Sequence, residues 1–528
     1  MADVRLCFLA ILTCLVVLAA GDASAAVGGW IQSTRKLRER LQSDPHRPGY
    51  HIVTPEGLCG PFDPNGALFW KGRYHLMYIV QTPKGHCWAH ISSHDLVHWR
   101  HHPLALEPGG VDNGIFSGGA FIDRSRVPTI TYWGLGGKAG ICIATSTDDD
   151  LEHWTKRPRP AIHQTHMGWA EDPQKGPYGV ADPSAIWSHG DRYYLLTGNL
   201  LVLREFGLKR KQPQHQGDTL YLFASDDLEQ WTYLHPFYQS DRKWTRADED
   251  NMCPDFFPLP SSREGGEPSD RHMILFISHN LGCQYYVGRY ADDRFTPETH
   301  GRMTWVDNAF FAPESLADGR GRRIMWAWVF DGRKGNTRNA SGWSGTMSLP
   351  RVLWLGDDKT LRMAPAPELA LLRYNASKLE DLTVGADTEL PLEGIGGDSF
   401  ELAIDVAPGD ARQVGVKVCC SPGGEEQTLV FYDATDRKLK IDTRKASLGE
   451  GPKSVEGGPL ALKAGELLRL RVFVDRSVVE VFANDRQAVM RRIYPTRRDA
   501  RRVALFASGG PATVMALAAW HMAPANPW

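Results

Sequence analysis

A short pattern recurs along the first half of the chain and limits the folds open to it. Ser93-His94-Asp95-Leu96-Val97-His98-Trp99 returns as Asp149-Asp150-Leu151-Glu152-His153-Trp154, and again as Asp226-Asp227-Leu228-Glu229-Gln230-Trp231. Each copy follows an alternating stretch, such as Gly140 to Ser146 or Leu220 to Ser225, the period-2 signature of a half-buried strand. A weaker fourth copy, Asp292-Asp293-Arg294-Phe295, follows Tyr285 to Tyr290. Strand-rich units repeated at this spacing predict an all-β chain built from the blades of a β-propeller. Counting from Asp63 to about Leu355 gives four or five units; repeated hairpins within a sandwich are the alternative.

The rest of the chain reads around that repeat. With 528 residues it exceeds one ordinary core, so two domains are expected. Asp357-Asp358 and Ala364-Pro365-Ala366-Pro367 mark residues 356–374 as a linker. Beyond it, 375–528 alternates again in Phe400 to Val406 and Leu468 to Val474, which predicts a β-sandwich. Residues 26–49 read as a short charged helix or arm. Arg5, the apolar run Leu6 to Ala20 and Ala23-Ser24-Ala25 read as a secretory signal over 1–25, which implies a secreted or periplasmic protein. That run is short for a membrane span and no other is long enough. The net charge of −2 gives no electrostatic case for nucleic acid or an anionic membrane. Beyond the leader, an odd count of scattered cysteines does not make a disulfide framework. Oligomeric state cannot be read.

Candidate chemistry begins at Gly60-Pro61-Phe62-Asp63-Pro64-Asn65-Gly66. Asp63 sits at a strand end just before a hairpin, where rigid backbone can aim its carboxylate into a cleft; alone, it would be read as an Asx turn. Asp182-Pro183 repeats the Asp-Pro signature. Asp248-Glu249-Asp250 precedes Cys253-Pro254-Asp255-Phe256-Phe257, and Glu314 follows Phe311-Ala312-Pro313. In a propeller, equivalent blade positions converge on one funnel, so these distant carboxylates can meet. Two carboxyls roughly 5–5.5 Å apart support retaining glycoside hydrolysis. Trp88, Trp169 and Trp305 are candidates for stacking on sugar, with a core role as the alternative for each. The histidines at 90, 94 and 98 would line a metal site only on a helix, and the repeat predicts strand there. No glycine-rich phosphate loop has the right context, so neither metal nor cofactor is expected.

In these motifs the chain resembles the invertase-like glycoside hydrolases of family 32, over about residues 50–520. Asp63-Pro64-Asn65-Gly66 looks like the family's nucleophile motif, Phe116-Ser117-Gly118 like its substrate-contacting motif, and Asp182-Pro183 like its Arg-Asp-Pro motif. Cys253 to Phe257 looks like the tail of its Glu-Cys-Pro motif. Trp343 to Arg351 and Phe473 to Phe482 are also family-like. The resemblance implies a five-bladed propeller over 50–355 and a β-sandwich after it. It also implies a β-fructofuranosidase whose partner is a carbohydrate substrate. Asp63 would be the nucleophile, Asp182 would hold the sugar, and Asn65, Trp88, Phe116, Ser117 and Glu314 would line the site.

Three departures bear on mechanism. Phe62 stands where the family has Asn, and Ala181 where it has Arg. Met252 stands at the acid/base glutamate and cannot transfer a proton. Glu249 and, as a shorter competitor, Asp250 lie four and three positions before Cys253, and a bulged strand end could return one of them to the site. Glu249 is therefore the expected acid, with Asp250 the alternative. A binding protein without turnover, or a propeller glycosidase with another preferred glycoside, stays open at this stage.

Overall fold

The computed structural model describes residues 32–55, 57, 59–136, 140–163, 178–200, 202 and 217–526. The expected signal peptide and Trp169 lie outside these residues. Residues 32–43 and Gly335–Ser341 are helical, and the strands of the described residues pair antiparallel. Five sheets follow one another from Pro64 to Pro365, and two six-stranded sheets follow from Arg373 to Met522.

The repeat found in the sequence is the turn that follows strands Gly85–Ser93, Gly140–Thr145 and Thr219–Ser225 in the first three sheets. Its leucine adopts a left-handed backbone, with φ of 66° at Leu96, 56° at Leu151 and 65° at Leu228. That conformation exposes the leucine carbonyl, and the indole three residues on caps it. Trp99, Trp154 and Trp231 each donate Nε1–H to the carbonyl of Leu96, Leu151 and Leu228, at 3.2, 2.8 and 3.1 Å. An aspartate holds the turn by accepting from backbone N–H groups: Asp95, Asp148 and Asp227. The weak fourth copy is the tight turn at Asp292 and Asp293, in the same place in the fourth sheet.

Each of the five sheets is tied to the next, and the last to the first. Gly66 N–H donates to Gly118 O at 3.2 Å, linking sheets one and two. Thr131 Oγ1 donates to Ser184 O at 2.8 Å, linking two and three. Asn199 N–H donates to Asn251 O at 3.4 Å, linking three and four. The Ser315 hydroxyl donates to Asp255, linking four and five. Ala67 N–H donates to Glu314 Oε1 at 3.0 Å and closes the ring. Apolar clusters fill the spaces between neighbours: Leu76, Trp326 and Val352 pack between sheets one and five, and Leu222, Phe256 and Ile274 between three and four.

Residues 356–374, expected as a linker, hold more structure than that. Leu361–Pro365 pairs with Arg351–Leu355 as the last strand of the fifth sheet, and Pro367–Leu372 forms a 3-10 turn. The prolines that suggest a linker sit at the edge of that strand, where a missing N–H does no harm.

The two six-stranded sheets share one core of Val, Leu and Ile from both faces. They join the five-sheet ring through the two remaining family-like motifs. Arg351 and Glu480, both fully buried, pair at 2.8 Å. Asp475 accepts from the N–H groups of Gly49, Tyr50 and His51. All seven cysteines of the described residues are free thiols, and none of the described helices is long and apolar enough to cross a membrane.

Candidate active site

The candidate carboxylates lie just before or within the first strand of four of the sheets, and in three sheets that strand carries the same backbone device. Asn65, Met252 and Phe311 stand opposite Met77, Ile277 and Trp328. Pairing then resumes at Leu68, Asp255 and Glu314, leaving one extra residue on the first strand each time. The residue after the first of these pairs has positive φ: Gly66 at 54°, Cys253 at 47° and Ala312 at 44°. These are matching β-bulges. They set Asp63, Asp250 and Ala309 in equivalent places two residues earlier, at the lip of the strand. Each lip meets the neighbouring strand or the residue just past its end. Ile79 N–H donates to Asp63 O at 3.1 Å, Phe330 N–H to Ala309 O at 3.0 Å, and His279 N–H to Asp250 Oδ1 at 2.8 Å.

Asp63 is 6% exposed. Its Oδ2 accepts from Ser117 Oγ at 2.7 Å, while Oδ1 has no partner among the described residues. Asn65 fixes this turn from inside. Its Nδ2 donates to Asp63 O at 2.8 Å, and its Oδ1 accepts from Gly118 N–H at 3.0 Å. Asp182 matches Asp63 in form. It is 6% exposed; Oδ2 faces the Cys253 thiol at 3.3 Å, and Oδ1 is unpartnered. Its φ of +23° places a non-glycine residue in the left-handed region, strain of the kind that collects at functional sites.

Burial pushes Asp63 up to about 7, with the Asp182 charge adding to it; Ser117 and His279 pull the other way. Burial likewise pushes Asp182 up to about 6, opposed by the Cys253 thiol and His279. Burial and the charges of Asp182 and Asp63 push the Cys253 thiol well up, so it stays protonated. The two carboxylates, the thiol and His279 thus act on one another electrostatically.

Several expected site residues lie elsewhere. Glu249, expected as the acid, is fully buried and faces away. It accepts from Arg246 N–H at 2.9 Å, from Gln284 Nε2 at 3.0 Å and from Arg302 Nη2 at 3.0 Å. The reason is register. Glu249 is the counterpart of Phe62, whose ring is fully buried against Tyr78, and alternate residues of an extended strand point opposite ways. Asp250 is at the lip, but both its oxygens engage His279, through the backbone N–H and ring Nδ1. Met252 is buried, its sulfur seated where a side chain on Gly198 would be. Ala181 is also fully buried.

Trp88 is fully buried and gives its Nε1–H to Phe116 O at 3.2 Å, so it braces Phe116 from the core. Trp305 packs beside the two six-stranded sheets, its backbone N–H bonded to Glu456. Glu314 is buried and accepts from Ala67 N–H, the contact that closes the ring. Phe116 is half-buried, edge-on to His86 at 4.8 Å. The histidine-rich stretch gives no metal cluster among the described residues; His75 and His90 instead bond to each other at 2.9 Å, buried in the first sheet.

Two features escape the sequence reading. His279 sits in the turn Ser278 to Gly282, and only the pairing of that turn with the acidic run brings it to Asp250. Trp328 and Phe330, 4.2 Å apart between ring centres, line a cavity of ≈ 330 Å³ on the rim of sheets one and five, with Gly60, Gln81 and Ser344. An aromatic-x-aromatic ending to a strand is the signal that could have found the second.

The profile of the glycosyl hydrolases family 32 N-terminal domain matches residues 51–365, and that of the family's C-terminal domain matches 368–521. The chain belongs to glycosyl hydrolase family 32. Sucrose-6-phosphate hydrolase of Zymomonas mobilis is 29% identical to this family 32 chain, over 93% of it and 95% of the relative. Levanase of Bacillus subtilis is also 29% identical, over 89% and 70%. Among solved structures, fructan 1-exohydrolase IIa from Cichorium intybus superposes with a TM-score of 0.79, at 23% identity, over 91% of this chain and 98% of that one. This last likeness carries the fold. As a member of the family the chain is a glycoside hydrolase.

Proposed function

We propose that the chain is a secreted retaining hydrolase of β-fructofuranosides, with Asp63 as nucleophile and Asp182 holding the sugar. The five linked sheets are then the blades of a propeller around one funnel, and the two six-stranded sheets a β-sandwich. The observation that carries this reading is the pairing of Asp63 with Asp182. Both are buried, both hold one oxygen by a single neighbour, and both leave the other oxygen unpartnered. A buried acceptor without a donor is costly unless a ligand supplies one, and sugar hydroxyls are such donors.

The relatives named for sucrose phosphate, levan and fructan support fructose as the bound ring. In this reading Asp63 attacks the anomeric carbon and Ser117 holds its other oxygen. Phe116, Trp328 and Phe330 are the half-buried rings left to meet sugar faces. The apolar N-terminal stretch supports secretion.

The test is turnover of purified protein on sucrose, inulin, levan and non-fructose glycosides. Hydrolysis is expected on the fructose-containing set and lost by about 10³-fold or more in Asp63→Asn. Turnover confined to non-fructose glycosides would remove the substrate assignment. Near-normal rates in Asp63→Asn would remove the nucleophile.

A further inference from the structure

The proposed reaction needs a proton donor for the leaving oxygen, and the residue at the family's position, Met252, has none. Glu249 is held by Arg302 and Gln284. We propose that His279, oriented by Asp250, is the general acid and base of this site. The inference rests on the β-fructofuranoside reading and assigns the one role it leaves empty.

The geometry is specific. Asp250 occupies in the fourth sheet the lip position that Asp63 occupies in the first, so it looks toward the same space. Its two oxygens take the backbone N–H and the Nδ1–H of His279. That fixes the tautomer and leaves Nε2 as the working nitrogen. Nε2 has no partner among the described residues, and the side chain is 30% exposed. The ring is set edge-on against Phe311 at 5.6 Å, and Asn308 Nδ2 donates to the His279 carbonyl at 2.6 Å, so the turn is braced from the fifth sheet as well. A carboxylate that orients an imidazole whose far nitrogen faces the reacting group is a recurrent acid–base arrangement.

The titratable groups that act on His279 are Asp250, Asp182 and Asp63. Burial pulls the imidazole down, but the charge and hydrogen bond of Asp250, with Asp182 and Asp63 behind it, hold it above its ordinary 6.5.

In the first step, Asp63 forms a bond to the anomeric carbon. The glycosidic bond breaks with its electron pair going to the leaving oxygen, and that oxygen takes the proton from Nε2. In the second step, water attacks the anomeric carbon and gives its proton to the now neutral Nε2. The ester bond breaks, and its electron pair returns to Asp63.

The experiment compares His279→Gln and Asp250→Asn on sucrose and on an aryl β-fructofuranoside with a good leaving group. His279→Gln is expected to lower kcat/KM on sucrose by about 10²–10⁴-fold, with the aryl substrate changed less than about 10-fold. The alkaline limb of the wild-type pH profile on sucrose should vanish in His279→Gln. It should move to lower pH in Asp250→Asn, where the imidazole has lost its anion. Equal losses on both substrates, or an unmoved alkaline limb in both variants, overturn the proposal.

A second measurement does not need turnover. The titration of the His279 ring, followed by NMR in labelled protein, should move down in Asp63→Asn and in Asp182→Asn. An unchanged titration in both means that the imidazole does not face the carboxylates, and overturns the proposal. Wild-type protein inactive on every β-fructofuranoside refutes the substrate reading alone; the titration then decides the placement of His279.

Discussion

At residue scale, the site is built on carboxylates kept short of partners. Asp63 is raised from 3.8 to about 7 by burial, so the folded protein binds that proton more tightly than the unfolded chain. Its contribution to stability is full below about 4 and is lost as pH rises through 7. Asp63→Asn, which cannot ionise, should therefore gain several degrees in Tm over wild type at pH 8 and little at pH 4; melting curves at the two pH values check this. Glu249 makes the opposite case. Glu249→Gln should lower stability by about 1–3 kcal/mol through the weakened contact with Arg302, and leave the ratio of rates on sucrose and an aryl fructofuranoside unchanged. Both quantities can be read on one preparation. The acidic run 248–250 was visible in the sequence as the replacement for Met252, but its members point different ways. Only the pairing of Met252 with Ile277 fixes which one reaches the lip, and a pairing register belongs to two strands at once. His279 was invisible for the same reason: nothing local to it speaks of Asp250.

At the scale of the element, the repeat was legible because it is local. Aspartate, left-handed leucine and indole satisfy each other within a few residues, so their spacing survives in the sequence as a pattern. The bulges were not legible. They share no residue type, since Gly66, Cys253 and Ala312 fill the same place, and only the backbone is common. Gly66 is the most constrained of the three, because a Cβ there would lie 3.1 Å from both Met77 Sδ and Trp88 Cζ3 while φ stays at 54°. Gly66→Ala should lower stability by about 1–2 kcal/mol, and it should depress kcat more than KM, because Asp63 hangs from this turn. Denaturant unfolding beside steady-state kinetics measures both. Cys253→Ala or Ala312→Gly should disturb less.

At the scale of the molecule, the two halves meet through buried charge. Arg351, Glu480, His51 and Asp475 are all fully or nearly fully buried, with His51 Nδ1 3.0 Å from Asp475. The sequence offered Trp343 to Arg351 and Phe473 to Phe482 as family-like stretches without saying why. Their ends turn out to be the two sides of this junction. Removing one partner leaves a buried charge uncompensated, at about 3–5 kcal/mol. Arg351→Ala should split calorimetric unfolding into two transitions while the Asp63 site stays formed below the first; one unsplit transition at the wild-type temperature would contradict this. The matching bulges carry a different consequence. Three sheets offer one backbone setting at their lips, and that setting is indifferent to which of them bears the acid. In the fourth sheet that setting holds Asp250 two residues before Met252, with both its oxygens on His279. The frame beneath can therefore take a change of side chain at its lip without a change of backbone.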